Sequence, residues 1–397
     1  MNKKVLHTPD GVRDLFETEC EQKQLLEEKV HRAIASFGYR DIETPTFEFF
    51  DVFGKEVGTI PSTELYKFFD RDGHTLVLRP DFTPSIARAA ARYLLPSKKA
   101  VRLCYAGSTF VNHTSYRGRL KESTQIGAEL IADASAEADA EMIAMVITSL
   151  KEAGLKDFQV SIGNVRFYNA LVQMAHLDED DSEELKTLIL NKNSFGVRKL
   201  LESANTECQG TVREGLAALP SLFGGPQILE TAASYAHSCP DALDALGRLK
   251  EVLGILEEYG LSDFVSVDLG MMSNYMYYTG ILFRAYTYGS GEAVVKGGRY
   301  DSLLRHFGAD APAVGFVIVL DQLMNALSRQ HLLPENREEV YQICCRKEKR
   351  REGIRRAGEL RAQGMRVSLT ICENEEAMRE AAAVISDSRT VRLERIE

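Results

Sequence analysis

The stretch Leu78-Arg79-Pro80-Asp81-Phe82-Thr83 completes a predicted strand and places a carboxylate and a hydroxyl close together, at Asp81 and Thr83. The turn Arg71-Asp72-Gly73 lies just before it, and an Asp-Gly pair between two apolar runs predicts a β-hairpin. Three further motifs follow in the chain: Thr124-Gln125-Ile126-Gly127-Ala128-Glu129, Tyr277-Tyr278-Thr279-Gly280 and Gly297-Gly298-Arg299-Tyr300-Asp301. Gln125 and Glu129 are four residues apart on a predicted strand, so their side chains face the same side of it.

Hydrophobic spacing around these motifs predicts a fold of both helices and strands. An amphipathic helix is expected over residues 18–37 with Gly38 as its stop, followed by a short strand that ends at Pro45. Strands are expected over 101–111 and 123–131, and a helix over 137–152. From about 167 to 260 helical periods dominate, and strands return over 281–286, 292–295 and 314–319. Beyond a linker, alternating strands and helices are predicted to the end of the chain.

The composition excludes several classes of protein. The chain has 397 residues, 44% of them hydrophobic, and a net charge of −10. That length predicts two or three domains, and the charge argues against general nucleic-acid binding. The seven cysteines lack C-x-x-C spacing and the histidines lack close pairs, so neither a disulfide framework nor a metal site is expected. No apolar run suits a signal peptide or a membrane span, and we expect a cytoplasmic protein.

In their order and spacing these motifs resemble those of histidyl-tRNA synthetases and of their non-catalytic paralogue, the regulatory subunit of ATP phosphoribosyltransferase. The resemblance implies an α+β fold, with a class II synthetase-like antiparallel sheet flanked by helices. It places this core at residues 1–328, with a helical insertion at about 167–260. A linker at 329–336 and a small, shortened anticodon-binding-like α/β domain at 337–397 would follow. The segment around Pro45 corresponds to the first motif of the class, which implies a dimer interface.

The resemblance also implies a pocket for a histidine-like ligand. Leu78 to Thr83 is similar to the family's LRPExT element, with Asp81 in place of glutamate. An ammonium group needs carboxylate and amide oxygens, and aromatic rings can flank an imidazole. The implied pocket residues are Asp81, Thr83, Gln125, Glu129, Tyr277 and Tyr278. Alternatively, these polar groups satisfy one another in a vestigial cavity.

Three cations that the active synthetases use are missing. Val111 stands where the second motif has an arginine, and Ser273 stands where the histidine enzyme has another. Gln322 replaces the arginine that ends the third motif, and valines replace its later glycines. Each charge-assisted contact with a phosphate contributes about 1.5–3 kcal/mol, so their joint loss predicts that adenylation is abolished.

Other basic residues have two open interpretations. Arg119, in the second motif's loop, and Arg299 are candidates for binding an anion, although Arg299 and Asp301 would equally tie the sheet together. The cluster Arg346-Lys347-Glu348-Lys349-Arg350-Arg351, with Arg355 and Arg356, is either a solvated helix face or a surface for an acidic partner. No aromatic side chains are interleaved with it, which disfavours a base-stacking platform.

The resemblance and the missing cations together favour a non-catalytic regulatory subunit over an enzyme. Such a protein would dimerise, assemble with a short-form catalytic subunit of ATP phosphoribosyltransferase, and mediate feedback by histidine in histidine biosynthesis. No cofactor is expected. Two alternatives are an active histidyl-tRNA synthetase and another synthetase-like amino-acid sensor or ligase, and the shortened C-terminal domain disfavours tRNA binding. The sequence leaves open the stoichiometry, the surface that contacts the catalytic subunit, and whether histidine binds in the pocket or between subunits.

Overall fold

The structure is a computed structural model, and it describes residues 6–54, 57, 60–95, 99–113, 120–203, 210–272, 277–335, 340–383 and 391–396. The chain divides into two compact units, Met1–Leu333 and Pro334–Glu397. The boundary between them falls within the linker expected at 329–336. None of the helices in the described ranges combines the length and the apolar composition that crossing a membrane requires.

The helices and strands lie along the chain largely where the hydrophobic spacing predicts them. The helices are α1 (Glu17–Ala35), α2 (Thr83–Tyr93), α3 (Ala136–Glu152), α4 (Val165–Ala175), α5 (Glu179–Leu190), α6 (Ser194–Ser203), α7 (Thr211–Ala218), α8 (Ile228–Ala236), α9 (Pro240–Glu258), α10 (Leu320–Arg329), α11 (Arg350–Ala362) and α12 (Glu375–Ala383). The strands are β1 (Arg40–Asp41), β2 (Phe47–Phe49), β3 (Lys67–Phe69), β4 (Thr75–Leu78), β5 (Val101–Phe110), β6 (Glu122–Ile131), β7 (Phe158–Asn164), β8 (Phe223–Gly224), β9 (Val265–Asp268), β10 (Ile281–Thr287), β11 (Val295–Arg299), β12 (Ala313–Val319), β13 (Val340–Arg346), β14 (Arg366–Cys372) and β15 (Val391–Ile396).

Among the described residues, nine strands form the main sheet, in the order β1-β5-β6-β12-β11-β10-β7-β9-β8. The central strands from β5 to β7 are antiparallel to their neighbours, as the predicted class II core requires. The antiparallel sheet that the resemblance implies is confirmed for these strands, while towards the edges β1 runs parallel to β5 and β9 runs parallel to β7. Each of these parallel partners returns to the sheet after intervening structure, which makes a parallel pairing possible.

The two faces of the main sheet bury different sets of side chains. Ile126, Ala128 and Leu130 of β6 point into a large apolar core that also contains residues of α1, α3 and α9. The alternate residues of β6 face the other side, where Phe82, Tyr105 and residues of α2 form a second core. Strand alternation therefore separates a helical core from the face on which the predicted pocket residues lie.

The expected helical insertion corresponds to α4 through α9, which lie between β7 and β9 in the chain. Sequence patterns indicate only helices there, but the structure adds the two-residue strand β8, which pairs with β9 at the sheet edge. A strand this short carries no readable periodicity. Gly38 ends the first helical segment as predicted: its backbone has φ +84°, and its N–H donates to the carbonyl of Ala35.

The C-terminal unit is a small α/β arrangement, in agreement with its alternating pattern. Its strands β14, β13 and β15 are parallel and lie in that order. Helix α11 connects β13 to β14 in the chain and buries Ala357 and Leu360 against Ile343 of β13. Helix α12 places Met378 against Cys344 and Cys372 on the opposite side of β13 from Ile343.

Candidate functional site

All six residues predicted to form the pocket line one cavity on the face of the sheet opposite the helical core. Its volume is about 50 Å³, which accommodates several water molecules. Its wall consists of Asp81, Thr83, Gln125, Glu129, Tyr277, Tyr278, Lys296, Tyr300, Gly315, Phe316, Val317 and Val319. The motif from Leu78 to Thr83 reaches this wall because it joins β4 to α2, which begins at Thr83.

Strand register explains how distant segments meet in the cavity. Glu129 of β6 is opposite Gly315 of β12, and Gln125 is opposite Val319. A side chain at position 315 would collide with the Glu129 carboxylate, because a Cβ there would lie 1.7 Å from Oε2. Glycine at position 315 therefore makes room for the buried acid.

Glu129 is the most buried acid of the cavity, with 1% of its surface exposed. The Thr83 hydroxyl donates to its Oε1 at 2.7 Å, and the Tyr300 hydroxyl donates to its Oε2. Burial raises the pKa of Glu129 from 4.5 to about 8, although both hydrogen bonds oppose the rise. At neutral pH this carboxyl is therefore mostly protonated, and a cationic group placed beside it would favour its ionised form.

Asp81 and the tyrosines form the second side of the cavity. The Tyr277 hydroxyl donates to Asp81 Oδ2 at 3.3 Å, and the Thr83 backbone N–H donates to its Oδ1 at the same distance. Burial raises the pKa of Asp81 above its ordinary value. The ring of Tyr277 lies 4.7 Å from that of Tyr278 and 5.8 Å from that of Tyr300. Two acids and three aromatic rings thus converge within one small space.

Mutual hydrogen bonding does not satisfy every polar atom of the cavity. Within the described residues, the side-chain oxygen Oε1 of Gln125 is buried and accepts no hydrogen bond from another protein group. An orphaned buried acceptor costs about 1–3 kcal/mol, and a ligand that donates to it would recover part of that cost. The interpretation as a vestigial, self-satisfied cavity explains the contacts of Glu129 but leaves Gln125 unexplained.

The positions that depart from the catalytic pattern contribute no cation to this cavity. The Val111 backbone N–H donates to the Lys121 carbonyl, and the Gln322 side chain lies 3.5 Å from the Ser290 hydroxyl. In the described part of the chain, neither Val111 nor Gln322 belongs to the cavity wall, whereas Val317 and Val319 do. Ser273 and Arg119 lie outside the described residues.

Arg299 serves the interior of the fold rather than the cavity. Its guanidinium contacts Asp139 Oδ1 at 2.7 Å, donates to the Asp133 carbonyl at 3.0 Å and to Asp301 at 3.3 Å. The sequence suggested Asp301 as its partner, but that carboxylate is 41% exposed, whereas Asp139 is 1% exposed. The principal partner is therefore Asp139 on α3, which no local motif identifies.

Several charged clusters outside the cavity are also clear in the structure. In the basic cluster, Lys347, Lys349 and Arg355 pair with Glu373, Glu352 and Glu359, and Arg356 pairs with Glu394, as on a solvated face. His31, Asp41 and Cys104 come together from separate elements, with His31 Nε2 lying 2.6 Å from Asp41 Oδ1. Sequence spacing could not detect such a group, and the absence of a metal stays a prediction.

Among the cavity residues, the sequence left Lys296, Tyr300 and Gly315 without a role. Two of them lie in or beside the Gly297 to Asp301 motif, so a signal for their position existed. Their access to Glu129 depends on the β12–β11 pairing and on the β12–β6 pairing, and the second of these joins segments more than 180 residues apart. Only the three-dimensional register reveals this contact.

The raised pKa of Glu129 predicts how stability changes with pH. The folded protein keeps this proton up to about pH 8, whereas the unfolded chain releases it near 4.5. The stabilisation contributed by protonated Glu129 is thus fully present below pH 4.5, and it is lost as the pH rises through about 8. Relative to Glu129→Gln, we expect the unfolding free energy of the parent chain to fall by about 1.4 kcal/mol per pH unit between them.

Urea unfolding of both chains across this pH range measures the difference. Glu257→Gln, at an exposed position on α9, is the matched control and should run parallel to the parent chain. Parallel curves for Glu129→Gln and the parent would show that Glu129 is ionised throughout, contrary to its burial.

Comparison with known proteins gives a consistent picture. The profile of the family described as histidyl-tRNA synthetase matches residues 11–323. An ATP phosphoribosyltransferase regulatory subunit from Acetivibrio thermocellus is 38% identical over 366 residues, which cover 92% of this chain and 87% of the relative. A solved structure from Bacillus halodurans, described as an ATP phosphoribosyltransferase regulatory subunit/histidyl-tRNA synthetase, is 32% identical with a TM-score of 0.83, over 98% of this chain and 99% of that one. The histidyl-tRNA synthetase of Nostoc is 20% identical over 95% of this chain and 88% of its own, with a TM-score of 0.78, and so shares the fold.

Proposed function

Because this chain belongs to the histidyl-tRNA synthetase family and, within it, to the ATP phosphoribosyltransferase regulatory subunits, we propose that it activates a short-form catalytic subunit and makes it sensitive to histidine. The observation that carries the proposal is a contrast within one site. The cavity has acidic and aromatic side chains suited to an amino acid, whereas the arginines with which active synthetases bind ATP are replaced by Val111, Ser273 and Gln322. The proposed setting is the cytoplasm, and the proposed complex is a hetero-oligomer.

The first part of the proposal is that the chain does not adenylate histidine itself. Transfer to an α-phosphate needs preorganised positive charge near the reacting group, and removing one such group typically costs a hundredfold to a thousandfold in rate. Val111 and Gln322 provide no positive charge, and Ser273 provides none by its chemistry. Val317 and Val319 also add apolar bulk to the cavity wall. An absence of ATP–pyrophosphate exchange with histidine is the expected result, and exchange would favour the alternative of an active synthetase.

The second part is that histidine binds in the cavity described above. Its ammonium would be held by Glu129, Asp81 and the Gln125 oxygen, which are acceptors suited to it. The rings of Tyr277 and Tyr278 would border the imidazole. Ligand binding at this site changes activity only if the active and inhibited arrangements of the complex bind histidine with different affinity. That difference is what the regulatory subunit would supply.

The third part is a homodimer formed through the first motif around Pro45. Shortly after Pro45, Phe47 and Phe49 on β2 are 51% and 55% exposed, and Phe68 on β3 packs its ring edge against Phe47. Large exposed apolar side chains in one patch are typical of a surface that another chain covers. Phe49→Glu is expected to convert the dimer into monomer in sedimentation velocity, whereas Phe195→Glu, at another exposed phenylalanine, should not. An unchanged dimer in Phe49→Glu would place the interface elsewhere.

The deciding experiment measures phosphoribosyl-ATP formation by a cognate short catalytic subunit, alone, with this chain, and with this chain plus histidine. We expect activity to rise when the chain is added and to fall when histidine is added. Co-elution of the two proteins in gel filtration is the physical control. A catalytic subunit that neither binds this chain nor responds to it would contradict the proposal.

A further inference from the structure

The cavity contains a positively charged side chain that the proposed ammonium site does not use. Among the described residues of its wall, Lys296 is the one cation, and it shares the space with the acids Asp81 and Glu129. A free α-amino acid is a zwitterion, so a pocket that buries it must also compensate its carboxylate. The cavity wall therefore has acceptors for one end of such a ligand and a donor for the other.

Strand register places Lys296 on the same face of the sheet as Glu129. Lys296 on β11 pairs with Val317 on β12, and Val317 pairs with Gly127 on β6. Lys296 is thus two strands across and one pleat along from Glu129, on the same face of the sheet. Strand spacings put their Cα atoms about 12 Å apart, which leaves room for a small ligand between two side chains of this length.

Nearby glycines have no side chain, so aromatic rings can pack directly against the backbone of this part of the sheet. A Cβ at Gly298 would lie 2.8 Å from the Tyr278 ring, and a Cβ at Gly127 would lie 2.4 Å from the Tyr105 hydroxyl. The rings of Tyr278 and Tyr105 therefore pack directly over backbone, and the lysine extends from the same face. Lys296 is partly buried, so its charge is less screened by water than that of a surface lysine.

We infer that Lys296 binds the α-carboxylate of the ligand and restricts the cavity to amino acids that carry one. This inference rests on the proposed function, because it assumes that histidine occupies the cavity. Once the ligand's ammonium favours the ionised forms of Asp81 and Glu129, the ligand's own carboxylate would be repelled without a further countercharge, and the lysine removes that repulsion. Lys296 is accordingly a specificity-determining residue that contacts the ligand.

Calorimetric titration with histidine and with histidinol, which replaces the carboxylate by a hydroxymethyl group, separates the two ends of the ligand. We expect Lys296→Met to weaken histidine binding about ten- to a hundredfold, the range of one charge-assisted hydrogen bond. Histidinol should bind Lys296→Met at least as well as it binds the parent chain. Lys296→Arg should recover most of the histidine affinity. Lys156→Met, at an exposed lysine of the same unit, should leave the affinity for both ligands unchanged.

The outcomes distinguish this inference from the proposed function. If the parent chain binds neither ligand, the assignment of histidine to the cavity fails, and the role of Lys296 fails with it. If the parent binds histidine but Lys296→Met weakens both ligands by the same factor, or weakens neither, the lysine does not read the carboxylate and the inference is overturned. Histidinol binding by Lys296→Met also shows that the variant is folded.

Discussion

Arg299→Met is expected to lower the free energy of unfolding of the synthetase-like unit by about 3 kcal/mol. Arg299 and Asp139 are 7% and 1% exposed, so the substitution leaves a buried carboxylate with less compensation. Burial already raises the pKa of Asp139, and Arg299 is the largest influence opposing that rise. Arg248, which donates to Asp139 Oδ2 at 2.9 Å, keeps the loss near the lower end of the range for broken buried pairs.

Urea unfolding monitored by circular dichroism measures this change. Arg305→Met is the matched control, because Arg305 pairs with Asp310 on the surface and both side chains are largely exposed; we expect no measurable change there. Adding Asp139→Asn to Arg299→Met should recover part of the loss, since the unpaired carboxylate is then removed. Equal stability of Arg299→Met and Arg305→Met would show that the buried pair does not stabilise the unit.

Local patterns predicted the fold where an element carries its own signal. The helix expected over residues 137–152 is α3, which Ser135 caps by accepting a hydrogen bond from the Ala138 N–H. The α+β class and the synthetase-like core were inferred from motif order and are confirmed. The short strand expected before Pro45 is β1, but its parallel pairing with β5 depends on tertiary contacts that no local pattern encodes. Strand β9 was missed because it is four residues long, too short for a period to be read.

The candidate site was likewise predictable only in part from the sequence. Six of the residues that line its wall were named from three motifs, because strand alternation or motif resemblance assigns their side chains to one side. The hydrogen bond from Tyr300 to Glu129 joins residues 171 positions apart, and sequence spacing does not encode such a distance. The Arg299–Asp139 pair is hidden for the same reason, since it depends on how α3 packs against the sheet.

Gly315→Ala is expected to weaken histidine binding more than about a hundredfold, provided that histidine binds in the cavity. The new Cβ would lie 1.7 Å from Glu129 Oε2 and 2.9 Å from the Ala128 carbonyl oxygen, so the carboxylate must move. Movement breaks its alignment with the Thr83 and Tyr300 hydroxyls and removes the principal acceptor for an ammonium. One charge-assisted hydrogen bond contributes about 1.5–3 kcal/mol, and the loss of space in the cavity adds to that effect. Calorimetric titration of the isolated chain with histidine measures the affinity.

The control for Gly315→Ala has to separate two effects: the space that the added methyl group takes from the cavity, and the general effect of replacing a glycine. Gly254 on α9 has no atom within 4 Å of the position that its Cβ would take, so Gly254→Ala should bind histidine normally and gain up to about 1 kcal/mol in stability. A folded Gly315→Ala protein that binds histidine as tightly as the parent would show that the ligand does not use Glu129. Histidine control would then have to reside at another surface, such as the contact with the catalytic subunit. Loss of binding in Gly315→Ala alone would assign the effector site to the face of the sheet where Glu129 lies.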